Sequence, residues 1–122
     1  MAACYHGIGN LHREAGADAL AVPFYRQALQ IREKLSRDNP GHLPFLGDVC
    51  GTGHRLGESL ERLGQSAEAL AAYQRALTQQ SELVASAGQN EMHQRRLREL
   101  REAVARLSPR PAPSDSASAR GR

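Results

Sequence analysis

The chain has 122 residues, room for one domain, and its 40% apolar and 24% charged residues are ordinary for a globular protein. Aromatic residues make up only 4% and Trp is absent, so the core must come from Leu, Ala, Val and a few Tyr and Phe, a helix-forming palette. The formal charge of +3 does not mark a phosphate-binding domain, because residues 1–108 hold 13 Lys and Arg against 12 Asp and Glu and the excess lies beyond them.

Residues 3–14 read as a short helix that stops at Gly16, a residue suited to the left-handed conformation at a helix end. Asp18 then caps a second helix over 19–36, whose apolar positions Leu20, Phe24, Ala28, Ile31 and Leu35 are expected to share the inward face. Pro23, about one turn inside, is close enough to the start to be tolerated. Asp38-Asn39-Pro40-Gly41 is a turn signal, and Pro44 suits the first turn of a third helix reaching Leu63. That helix has Leu46, Val49, Leu56, Leu60 and Leu63 on one stripe, and carries Gly47, Gly51, Gly53 and Gly57. Each glycine costs about 1 kcal/mol of helix propensity, so the segment is helical only if neighbours pack on it.

Gly64 stops the third helix, and Ser66 caps a fourth over 67–86 with Leu70, Tyr73, Leu77 and Val84 inward. A loop around Gly88 leads to a fifth helix over 91–107, on which Leu97, Leu100, Val104 and Leu107 recur at helical spacing. From Ser108 onward the chain is Pro, Ala, Ser, Gly and Arg with one Asp, so 108–122 is expected to be a disordered tail behind a helical domain of residues 1–107. Cys4 and Cys50 are isolated, which favours free thiols in a reducing compartment. No apolar run approaches the ~18 residues of a membrane span and no leader pattern opens the chain, so a cytoplasmic location is expected.

The segment Gly16–Leu29, GADALAVPFYRQAL, returns 48 residues later as GQSAEALAAYQRAL. At that offset His6 meets His54, Gly9 meets Gly57, Gly16 meets Gly64, Ala21 meets Ala69, Tyr25 meets Tyr73 and Ala28 meets Ala76. A fixed period of this size is the signature of a stacked repeat.

The pattern Ile8-Gly9, Gly16, Ala21, Tyr25, Ala28, repeated as Leu56-Gly57, Gly64, Ala69, Tyr73, Ala76, resembles the tetratricopeptide repeat (TPR). Tyr5 holds the first aromatic position of the pattern, whereas the second repeat has Gly53 there. The period of 48 exceeds the usual ~34, and the extra length between Gln30 and Val49 resembles the long-helix variety of kinesin light chains and of tandem arrays in large bacterial proteins. The resemblance implies an all-α solenoid of two helix pairs plus a C-terminal capping helix, with small residues at Gly9, Ala21 and Ala28 for close approach and tyrosines between successive pairs. It also implies that the chain starts inside a repeat, with apolar surface around Tyr5 and Ile8 left for self-association through the N-terminal end.

For function the resemblance implies a noncatalytic scaffold that binds an unknown protein or peptide. His6, Asn10 and Arg13 on the first helix, and His54, Glu58 and Glu61 on the third, fall at positions that line the concave groove of such proteins. They do not match the clamp that holds chaperone C-termini. One alternative is the C-terminal remnant of a larger signalling protein, such as a serine/threonine kinase with a TPR array. A second is a nucleic-acid-binding helical protein, resting on Arg95, Arg96, Arg98 and Arg101 and the Arg-bearing tail. Arg95 with Glu99 and Arg98 with Glu102 stand at ion-pair spacing, which favours a solvated helix face instead.

Cys50 and His54 are spaced for two ligands on one helix face, but no second pair completes a four-ligand metal site. The same pair has no visible orienting group or oxyanion site for nucleophilic catalysis. There is no phosphate-binding Gly-rich loop followed by Lys and no kinase catalytic motif. No metal, no cofactor and no enzymatic activity are expected.

Overall fold

The structure, a computed structural model, describes residues 1–88 and 90–109. The disordered tail expected from residue 108 lies almost wholly outside the described residues. Five helices follow one another: α1 (Ala2–Glu14), α2 (Asp18–Asp38), α3 (Leu43–Arg62), α4 (Ser66–Ala87) and α5 (Glu91–Leu107). Among the described residues there is no strand. Each helix packs chiefly on its neighbours in the chain, giving a solenoid of two helix pairs closed by a fifth helix.

The reversals within each pair are built alike. Gly16 and Gly64 both sit at φ 79°, where a side chain would be strained, and their amides close the preceding helices onto Arg13 and Glu61 carbonyls at 3.0 Å. The close approach of paired helices is also repeated. A Cβ on Gly9 would come within 2.8 Å of the Tyr25 ring, and one on Gly57 within 2.6 Å of the Tyr73 ring. Each tyrosine therefore occupies the space that the glycine vacates, and both are almost wholly buried. The ring packs on the other helix of its own pair, and Tyr73 additionally reaches the cleft in front of α5.

The glycine-rich α3 is continuous because its neighbours use those glycines. Besides Gly57, a Cβ on Gly53 would lie 3.2 Å from that of Ala76, and one on Gly51 would lie 3.5 Å from the Arg96 guanidinium. Tertiary packing on both sides of α3 thus offsets its poor propensity.

The inward face expected for α2 is wrong in part. Leu20 is 57% exposed and Leu35 40% exposed, while Ala21, Val22, Tyr25 and Ala28 are buried. Small residues win the tight interface, and the larger leucines are turned out. The same substitution occurs on α4, where Ala69, Tyr73, Ala76, Gln80 and Leu83 are buried and Leu70, Leu77 and Val84 are only half-buried. Leu63, expected on the α3 stripe, instead follows the last residue of that helix and is likewise outside, at 37% exposed.

Neither expected N-cap forms. Asp18 lies in the first turn of α2, with Ala17 at the cap position, and it instead accepts a hydrogen bond from Ser59 Oγ of α3 at 2.8 Å. Gln65, not Ser66, precedes α4, and it makes no side-chain cap. The one side-chain N-cap among the described residues is Asn90, whose Oδ1 accepts from the His93 amide at 3.1 Å and opens α5.

Candidate interaction cleft

Because α1, α3 and α5 are the first helices of successive pairs, residues at repeat-equivalent positions on them form one face. On that face α3 and α5 bound a cleft of about 660 Å³, with His54, Glu58, Glu61 and Tyr73 on one side and Arg96, Glu99, Glu102 and Arg106 on the other. All three groove positions expected on α3 therefore line one cavity.

Two of the three expected on α1 serve the repeat tyrosine. The Tyr25 hydroxyl donates to Asn10 Oδ1 at 2.6 Å and accepts from Arg13 Nε at 3.2 Å. In the second pair the Tyr73 hydroxyl donates to Glu61 Oε1 at 2.9 Å. Arg13 and Glu61 are repeat equivalents, so one position contacts the tyrosine hydroxyl in both pairs, as donor in the first and as acceptor in the second. Burial and the bond to Glu61 both push the Tyr73 phenol upward, so it stays protonated and remains the donor.

Glu61 also ties the cleft together. Arg106 of α5 forks onto it, with Nη2 at 2.8 Å from Oε1 and Nε at 3.0 Å from Oε2, and this contact holds the Glu61 carboxyl below the usual carboxylate range. The fork crosses between helices, so it fixes how far α5 stands from α3. The Arg95–Glu99 and Arg98–Glu102 pairs expected along α5 do not come within 4 Å, because those side chains extend into solvent.

His6 and His54, the repeat-equivalent histidines, are both held neutral. The His6 ring lies 5.5 Å from that of Tyr25, and its Nδ1 is 3.1 Å from Thr52 Oγ1. Thr52 Oγ1 accepts from Arg32 at 2.7 Å, which leaves its proton for His6 Nδ1. Burial, reinforced by the Arg32 and Arg55 charges, brings the His6 pKa down to about 4. His54 lies 3.7 Å from Glu58 Oε2, a contact that would favour the imidazolium, yet burial against Tyr73 outweighs it and lowers the pKa. Cys50, the candidate partner of His54, is buried without any exposure and its thiol is pushed up to about 12 by desolvation, the opposite of what a nucleophile needs.

Among the described residues, Arg96 is the cationic group of the cleft without an ion pair. Arg55 is held by Glu58, Arg62 by Asp18 and Arg106 by Glu61, whereas among the described residues Arg96 has no carboxylate within 4 Å and its buried Nε has no hydrogen-bond partner. Glu99 and Glu102 on the same wall are exposed and unpaired among the described residues. The cleft is thus lined by one arginine and two exposed carboxylates that have no ion pair among the described residues.

Sequence reasoning named the α3 wall but not the α5 wall. The signal was present, since in the repeat register Glu102 falls at the position of His54 and Arg106 at that of Glu58. Arg96 has no such counterpart among the groove positions.

Two family models described as Tetratricopeptide repeat match the chain, one over residues 1–41 and the other over 54–82, together more than half of it. The chain is a tetratricopeptide repeat protein. The matches fall on the two hairpins that the glycine–tyrosine contacts build, and TPR units in general are noncatalytic protein-interaction repeats. No curated protein and no solved structure matches this TPR chain. Among its described residues no helix is long and apolar enough to cross a membrane.

Proposed function

We propose that this TPR protein is a noncatalytic scaffold that holds an extended peptide of a protein partner in the cleft between α3 and α5. The observation that carries the reading is Arg96, which lines the cleft without an ion pair among the described residues, whereas Arg55, Arg62 and Arg106 are paired. A ligand carboxylate would give the Arg96 guanidinium the charge-assisted hydrogen bonds that the other arginines of the cleft already have. Glu99 and Glu102 at the rim suit a basic residue elsewhere in the same peptide. The period of 48 residues supports the long-helix, kinesin-light-chain-like variety of the repeat. The exposed apolar end of α1 is a second surface, through which such a scaffold associates with itself.

Selection from a random peptide display library tests the cleft. Enriched peptides are expected to pair an acidic or C-terminal carboxylate with a basic residue, and to lose binding to the Arg96→Glu variant by at least about tenfold. Enrichment of peptides that bind Arg96→Glu as tightly as the parent chain would overturn the reading.

A further inference from the structure

Three charges that line the cleft between α3 and α5, those of Arg96, Glu99 and Glu102, have no ion pair among the described residues, and all three stand on α5. The stretch of chain that follows α5 is complementary to them. Residues 109–122, PRPAPSDSASARGR, carry Arg110, Arg120 and Arg122 against the single carboxylate of Asp115. The cleft thus presents two carboxylates to one arginine, and the segment presents three arginines to one carboxylate. Between its charges the segment has only Pro, Ala, Ser and Gly, so no large apolar side chain competes with the ionic contacts.

The connection is short enough to bring the two together. α5 ends at Leu107, and Ser108 already has extended backbone, at φ −68° and ψ 137°, as suits a residue before a proline. The helix therefore stops beside Arg106, which lines the cleft at that end. Going back along α5 from Ser108, Glu102 lies about 9 Å away and Arg96 about 18 Å away, at ~1.5 Å per residue. The chain from Ser108 to Asp115 spans at most about 25 Å. Asp115 thus reaches Arg96, Arg110 stays within side-chain reach of Glu102, and Arg120 and Arg122 have chain to spare for Glu99.

Attachment to α5 decides the occupant. Ion pairs at a solvated rim are individually weak, so a free peptide of this composition would hold poorly. A short flexible connection raises the effective concentration of the segment to the order of millimolar, an advantage that a separate molecule lacks. Without an apolar anchor the segment also stays displaceable.

We infer that residues 109–122 occupy the α3–α5 cleft of their own chain, with Asp115 against Arg96 and the arginines against Glu99 and Glu102, so that a partner peptide binds by displacing them. The inference rests on the cleft being the peptide site proposed above. Its test needs no partner peptide, so its failure leaves the outcome of the peptide selection untouched.

Paramagnetic relaxation in solution nuclear magnetic resonance tests it on the full 122-residue chain. A nitroxide is attached at Ala117→Cys in a Cys4→Ser background, because Cys4 is exposed whereas Cys50 is buried. The expected result is broadening of the Glu58 and Glu61 amides, across the cleft on α3, at least about threefold greater than that of exposed Arg95 and Arg98, which lie outside the cleft. The difference is expected to be independent of protein concentration and to fade at ~1 M salt, where the Debye length falls to about 3 Å. Glu99→Lys with Glu102→Lys should abolish it, and adding Arg120→Glu and Arg122→Glu should restore it, a rescue that a change in folding alone would not give. Equal broadening inside and outside the cleft overturns the inference. So does a difference that survives the two lysines, fails to return in the charge exchange, or grows with protein concentration.

Discussion

At the level of single residues, the glycine and tyrosine of each pair are one structural unit. Ala at position 57 would gain about 1 kcal/mol of helix propensity, but its Cβ would lie 2.6 Å from a ring that is 2% exposed and pinned through its hydroxyl. The clash outweighs the gain, so Gly57→Ala is expected to destabilise by about 1–3 kcal/mol in urea unfolding. Tyr73→Ala, which empties the same space, is expected to cost on the order of 3 kcal/mol, and a loss below about 0.5 kcal/mol would contradict the packing. His6 supplies a pH dependence. Its folded pKa of about 4 lies below the unfolded value of 6.5, so the folded state binds fewer protons between them. Its contribution is complete above pH 6.5 and is lost as the pH falls toward 4. With allowance for partial exposure, the loss is on the order of 2 kcal/mol. Thermal unfolding at the two ends of that window should show the drop, and His6→Gln should lessen it. An equal drop in the variant would remove His6 as its source.

Helix boundaries were legible in the sequence to within two residues because the punctuation is physical: Gly16 and Gly64 at positive φ, Pro44 in a first turn, and Asn39 at a helix end. The inward faces were less so. On α2 the eye follows Leu20 and Leu35, yet helices this close seat Ala21 and Ala28 in the contact, and hydrophobicity does not reveal which apolar side is tight. The cleft was half legible for a related reason, since repeat equivalence marks a position but not whether it donates or accepts, as Arg13 and Glu61 show. Asp18 is the clearest case of a local rule losing to a tertiary one. A cap would satisfy one amide, whereas its bond to Ser59 satisfies a fully buried hydroxyl across two helices, with Arg62 3.5 Å away. Asp18→Ala is therefore expected to cost about 1–3 kcal/mol, more than a typical cap, by stranding that hydroxyl. In a double-mutant cycle with Ser59→Ala much of the cost should disappear, and strict additivity of the two changes would restore the capping account.

For the whole molecule, stability in a solenoid is the sum of the pair stabilities and the nearest-neighbour interfaces, so it should vary along the chain with how many faces each helix buries. α3 is packed by α2 on one side and α4 on the other, whereas α1 has α2 and α5 has α4 as its main support. Amide exchange under native conditions is accordingly expected to be slowest in α2, α3 and α4 and fastest in α1 and α5. Leu100→Ala tests the coupling. Leu100 is fully buried between α5 and the core, and its truncation should cost about 2–5 kcal/mol. If the interfaces act only between neighbours, the change should speed exchange in α4 and α5 well before α1 and α2 are affected. The arginine fork from Arg106 to Glu61 sharpens the expectation, because it is the link by which loosening of α5 would reach α3 and the Tyr73 hydroxyl. Uniform acceleration across all five helices would instead show that the chain opens as a single cooperative unit, with the cleft walls no more mobile than the core behind them.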